Sequence, residues 1–115
     1  MNNSSLTKLK CEPCSGNTPK LSSDDIQKKL SELNEWQLND NKEMIFKKFK
    51  FKSFKKALHV TNLVGMLAEE EGHHPDMSLG WGYCLIMIHT HAIKGLSIND
   101  FVLAAKIDQI IQQNQ

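Results

Sequence analysis

The chain reads as an α+β domain: an antiparallel four-stranded sheet built from two hairpins, with three helices packed on one face, in the order α-β-β-α-β-β-α. Three observations predict it. Apolar residues recur at helical spacing in three separate stretches, two of them opened by a serine with an aspartate three residues on. Between the helical stretches lie two segments rich in strand formers, each broken by turn residues. A length of 115 residues suits one domain with one core.

Residues 1–20 are polar and carry Pro13, Gly16 and Pro19, so they read as a flexible arm ahead of a single domain over 21–115. Ser22 with Asp25 opens the first helix. Leu21 and Ile26 occupy staple positions, Leu30 and Leu33 continue the buried stripe, and Asn34 offers a stop. Trp36-Gln37-Leu38, the turn Asn39 to Lys42 and the run Met44 to Phe51 make the first hairpin. Phe46 and Phe49 are three apart, which predicts a bulge or an early end in that strand.

A long helix follows from about Ser53 to Glu71, with Gly72 suited to the left-handed position that ends it. Met77 to Thr90 is the second hairpin, turning near Gly82-Tyr83. Its last strand is apolar on both sides, with Cys84, Ile86 and Ile88 facing one way and Leu85 and Met87 the other. A sheet covered on both faces needs a subunit interface here. Ser97 with Asp100 caps the final helix, whose apolar face is Val102, Ala105, Ile107, Ile110 and Ile111.

Composition excludes several classes. The longest apolar run, Cys84 to Ile88, is too short to span a membrane, and no signal peptide opens the chain, so a cytoplasmic protein is expected. Six lysines between Lys47 and Lys56 form a basic stretch, yet the sequence has no arginine, which counts against a nucleic-acid partner. Cys11, Cys14 and Cys84 are too few and too odd in number for a disulfide framework. Cys11-x-x-Cys14 lacks the further ligands of a zinc site and reads as a feature of the arm alone.

Chemistry gathers at two short clusters, His73-His74 and His89-Thr90-His91, each at the end of a regular element. Pro75 holds His74 extended, so the adjacent rings diverge. His89 and His91 share one side if the strand persists. Three readings stay open on the residues alone. The rings are satisfied structural histidines; or H-x-H with a third histidine makes an open zinc site; or the imidazoles perform metal-free acid–base chemistry. In the last, the run Glu69-Glu70-Glu71 favours the charged form of a nearby ring, which gives acids at a helix C-terminus a purpose.

The separations from Glu69 through His73-His74-Pro75, Trp81 and His91 to Asp100 resemble the signature of the pterin-4a-carbinolamine dehydratases. So do Cys11-Glu12-Pro13-Cys14, the Trp36 hairpin and the Gly95-Leu96-Ser97 lead-in to the last helix. The resemblance runs from about residue 9 to the end and is closest to bacterial members. It implies a hydro-lyase that converts 4a-hydroxytetrahydrobiopterin to quinonoid dihydropterin and water. That reaction recycles tetrahydropterin for an aromatic amino acid hydroxylase such as phenylalanine hydroxylase. It implies His73, His74 and His91 as catalytic, with His73 and His91 the acid–base pair and His74 holding the pterin. Gly72, His73, His74, Pro75, His89, Thr90, His91 and Ala92 would line the substrate pocket, supported by Glu69, Trp81 and Asp100. Trp81 is expected in sheet packing and Asp100 chiefly in the helix cap. No metal and no cofactor are implied, and the assembly would be a homodimer or homotetramer. Gly72 departs from relatives that carry an acid there, and His89 is an extra imidazole. The alternative functions are a protein-binding coactivator-like module and a role in molybdopterin metabolism.

Overall fold

The computed structural model describes residues 4–12 and 15–114. A short helical turn, α1 (Ser4–Thr7), precedes α2 (Ser23–Leu30), β1 (Gln37–Leu38), β2 (Ile45–Lys50), α3 (Phe54–Glu71), β3 (Asp76–Gly80), β4 (Tyr83–Ile88) and α4 (Ile98–Gln113). A single turn of 3-10 helix, His91–Ile93, separates β4 from α4. The class is α+β with the expected order, and α2, α3 and α4 are the three expected helices.

Local signals explain most boundaries. The Asp25 N–H donates to Ser22 Oγ at 3.2 Å, and the Lys56 N–H donates to Ser53 Oγ at 3.0 Å, so both helices start on serine caps. Helix α2 stops earlier than Asn34 would place it, at Leu30, because the Ser31 N–H already closes the last turn. Helix α3 ends at Gly72 with φ +67°, a conformation glycine adopts without the Cβ clash other residues suffer.

The sheet has the order β1-β2-β4-β3, all antiparallel. The β2–β4 ladder pairs Ile45 with Ile88 through Lys50 with Tyr83 without interruption, so the expected bulge is absent and the strand simply ends one residue before Phe51. Phe46 and Phe49 therefore face opposite ways. The reason lies in Lys47, which shares the helix-covered face with Ile45 and Phe49. It is accommodated there by Asp108 of α4, whose Oδ1 it meets at 2.8 Å. Trp36 donates its indole N–H to the other oxygen of Asp108 at 3.0 Å and meets Phe49 edge-on. A charged pair thus replaces the hydrophobic contact that alternation would have signalled.

On that face Ile45, Cys84, Ile86 and Ile88 are fully buried. Each such isoleucine contributes roughly 1.5–3 kcal/mol by leaving water. The opposite face carries half-buried Phe46, Tyr83, Leu85 and Met87, with Lys48 and Lys50 beside them. Tyr83 lies across Gly80, where an added Cβ would sit 2.2 Å from the ring.

Helix α4 differs from expectation in being buried around nearly its whole girth: every residue from Asn99 to Ala105 is inaccessible. The chain N-terminal to α2 supplies the extra cover. Helix α1 lies against α4, Leu6 is 2% exposed, and Asn99 exchanges hydrogen bonds with the Glu12 backbone at 2.9 and 2.8 Å. Cys11 is held there too, its N–H on Glu71 Oε1 and its Sγ on the Asn99 carbonyl. Cys14, its sequence partner, lies outside the described residues.

Two predictions follow from this junction. Burial, with Glu71 beside it, pushes the Cys11 thiol up to about 12, and burial also raises Cys84. Thiolate is the reactive form, so both cysteines are expected to resist alkylation at neutral pH until the protein is denatured. Peptide mapping after iodoacetamide treatment reads this directly, and rapid labelling of folded Cys11 would contradict it. Glu71 is the second case. Burial alone would raise its carboxyl, but Lys106 Nζ at 2.6 Å and the Cys11 N–H hold it below the usual 4.5. A group that ionises more readily when folded stabilises above its unfolded value and loses that contribution as pH falls through its folded one. Glu71→Gln should therefore cost about 1–3 kcal/mol at neutral pH. In acid well below 4.5 the gap to wild type should close. Urea unfolding at the two pH values measures both.

Candidate active site

The corner where α3 ends and β4 runs out encloses a cavity of about 350 Å³. Its walls are Gly72 to Asp76 on one side and His89 to Ala92 on the other. Each wall has a local cause. At the end of α3 the Gly72 N–H reaches the Glu69 carbonyl and the His73 N–H reaches that of Ala68, the paired bonds of a Schellman turn. That turn reverses the chain and drives His73 inward, while Pro75 keeps His74 extended and outward. The second wall is fixed by the Thr90–Gly95 bridge, which closes the 3-10 turn into a loop.

The histidines have different surroundings. His73 is 6% exposed, and its Nε2 lies 2.6 Å from Asp100 Oδ1. Asp100 is wholly buried; its Oδ2 accepts the Ser97 N–H and the Thr90 hydroxyl, both at 2.8 Å. Thr90 in turn meets Ser97 Oγ at 2.9 Å. With every position on Oδ2 taken by a donor, Asp100 acts as acceptor on Oδ1 also, and His73 Nε2 is the donor. His74 points to solvent and lies 3.5 Å from the still more exposed Glu69. His89 is partly covered and lies 3.5 Å from Asp76 Oδ2. His91 is exposed, its ring centroid 4.1 Å from that of His89.

All eight residues expected at the pocket line this cavity, and Asp76 joins them unforeseen. Asp76 pairs with Met87 in the β3–β4 ladder, which makes His89 its diagonal neighbour on the same face. The hairpin register would have disclosed it once the turn was placed at Trp81-Gly82. Among the supporting residues, Asp100 is both the cap and the partner of His73. Glu69 reaches only His74. Trp81 is a correction: at 72% exposed in the turn at the far end of the hairpin, it neither lines the cavity nor packs into the sheet. A two-residue connection between paired Gly80 and Tyr83 leaves its side chain nothing to cover. The acid run is a second correction in part, since Glu69 does lie beside His74. Glu71 turns away from the histidines to Lys106, and the buried carboxylate at the site comes from α4 instead.

Comparison with known proteins agrees with this geometry. Residues 19–110 match the family model described as pterin 4 alpha carbinolamine dehydratase. A provisionally named pterin-4-alpha-carbinolamine dehydratase of Alkaliphilus metalliredigens is 54% identical over 95% of this chain and 96% of its own. Its provisionally named counterpart in Methylococcus capsulatus is 43% identical over 92% and 93%. The crystal structure described as a transcriptional coactivator/pterin dehydratase from Brucella melitensis is 28% identical, with a TM-score of 0.77 over 81% of this chain and 99% of that one. No helix among the described residues is long and apolar enough to cross a membrane. With the match spanning most of its length, the chain belongs to the pterin-4a-carbinolamine dehydratase family.

Proposed function

We propose that the cavity dehydrates a 4a-hydroxytetrahydropterin to the quinonoid dihydropterin by histidine acid–base catalysis, recycling pterin for an aromatic amino acid hydroxylase. One observation carries the reading: His73, His74 and His91 surround a single cavity, and His73 is braced from behind by a buried carboxylate. The reaction needs little else. A proton delivered to the 4a-hydroxyl lets the C4a–O bond break and water leave. A base takes the proton from N5, and that electron pair forms the C4a–N5 double bond. One proton is given and one taken, so two imidazoles finish with the total they began with, and no electrons leave the pterin.

His73 and His91 are assigned to the two transfers. Asp100 fixes the orientation of the His73 ring, the task a buried carboxylate performs for a catalytic imidazole elsewhere. His74, exposed at the mouth, is assigned to holding the pterin. The test follows dehydration of freshly generated 4a-hydroxytetrahydropterin by its ultraviolet change. Wild type should accelerate it with or without chelator, and His73→Ala and His91→Ala should each lower kcat by about 10²–10⁴. Asp100→Ala strands the donors of Ser97, Thr90 and His73, at about 1–3 kcal/mol for each buried group left unpaired. Asp100→Asn keeps the shape, and as a change to a positioning residue should lower kcat with KM near wild type. Absence of acceleration by folded wild type would sink the dehydratase reading.

A second reading has its own support. Phe54, Leu58 and Met66 of α3 are 44%, 40% and 70% exposed, a surface available to a protein partner, and the Brucella relative is described as a coactivator as well as a dehydratase. Self-association belongs to the proposal also, with the open sheet face of Phe46, Leu85 and Met87 as the surface covered. Leu85→Glu should then reduce the particle mass measured by light scattering, and an unchanged mass would place the interface elsewhere.

A further inference from the structure

The outer half of the cavity holds a group of which the dehydration chemistry uses only His91. Asp76, His89 and His91 each offer one ligand atom, and these atoms all lie within 4.8 Å of one another. Among the described residues no other trio of histidine, cysteine or acidic side chains comes so close. We infer that Asp76, His89 and His91 form a binding site for a divalent transition ion of the zinc class, seated at the mouth of the cavity.

Three features of the geometry support this. The His89 Nε2 to Asp76 Oδ2 distance is 3.5 Å, near the about 3.3 Å that separates two ligands in a tetrahedral zinc site. The pair arises from the fold, since Asp76 and His89 are diagonal neighbours across the β3–β4 ladder with side chains on one face. His91, two residues on, brings its ring against that of His89 at 4.1 Å between centroids, so rotation about side-chain bonds suffices to converge three donors. His73 is not a candidate ligand through Nε2, because Asp100 holds that atom at 2.6 Å. Asp76 therefore supplies the third position.

The donor set selects the ion. Two imidazole nitrogens and one carboxylate oxygen suit zinc, cobalt, nickel or copper, whereas magnesium and calcium favour shells of oxygen. Each imidazole gives a nitrogen lone pair and the carboxylate an oxygen. Water completes the shell, and no bond within the protein breaks. Binding of this kind occupies the His91 nitrogen. Given the acid–base role proposed above for His91, the ion is an inhibitor that competes with proton transfer; this clause alone rests on that reading.

The full chain, freed of metal by dialysis against chelator, is titrated with Co²⁺ while visible absorption is recorded, and with Zn²⁺ in competition with a metallochromic dye. One equivalent should bind, and excess Mg²⁺ should not displace it. His89→Ala and Asp76→Ala should each weaken binding by at least about tenfold. His59→Ala, which removes an exposed histidine of α3 outside the cavity, should leave binding unchanged. Absence of binding, or affinity that ignores His89→Ala or falls with His59→Ala, overturns the site. If the chain proves to be a dehydratase, Zn²⁺ should inhibit it at the concentrations that fill the site. The His89→Ala inhibition curve should shift by the same factor as its affinity. Full activity at saturating Zn²⁺ would refute the inhibitory clause while the titration still decides the site, so failure of one reading is distinguishable from failure of the other.

Discussion

The corner depends on a single buried carboxylate. Asp100 has no exposed surface, and a charge there is tolerable only if its lone pairs are met. Three donors meet them: the Ser97 N–H, the Thr90 hydroxyl and His73 Nε2. These come from the start of α4, the loop after β4 and the residue just past α3. Elements distant in sequence are thereby pinned to one point, and the point is the back wall of the cavity. Removing one partner of such a group is costly because the others are left buried without water. The same arithmetic keeps His73 in one orientation.

The dual use of Asp100 explains why capping and chemistry are hard to separate on the sequence alone. Ser97-Ile98-Asn99-Asp100 is sufficient as a helix start, and that much was legible. What the spacing does not reveal is that a carboxylate has a second oxygen. Oδ2 satisfies the cap, and Oδ1 is left facing the chain that emerges from α3. The first histidine cluster was legible for a related reason: Gly72 and Pro75 fix the backbone on either side of His73-His74 with little freedom, so the two residues had to share the corner.

Other features depend on contacts between distant segments, and no local pattern carries them. Lys47 sits on the covered face of the sheet because Asp108 waits on α4. A period-two reading of β2 sees only Phe46 and Phe49 three apart and infers a bulge or an early end. Glu71 reads as one of three acids beside the histidines, yet Lys106 and the Cys11 N–H draw it to the opposite side. Helix α4 shows one apolar face in sequence, yet its first two turns, Asn99 to Ala105, are buried all round, because α1 and Glu12 pack on the side that periodicity assigns to solvent. Trp81 is the converse case. A large aromatic predicts burial, and a two-residue turn denies it a surface to bury against.

The cavity is divided by how its side chains are restrained. Its inner histidine is locked by a hydrogen bond of 2.6 Å within a closed network, while His74 and His89 rest on longer contacts of 3.5 Å to exposed carboxylates. Proton transfer by His73 rewards the first condition, since a misplaced ring costs rate. Ion capture tolerates the second, because an ion draws loosely held ligands into its own geometry and is repaid in coordination energy. The extra imidazole of His89 therefore need not belong to the dehydration chemistry. It stands on the outer side of the division, diagonal to a carboxylate and with its ring tilted against that of His91, where it can act on the site without being part of its fixed interior.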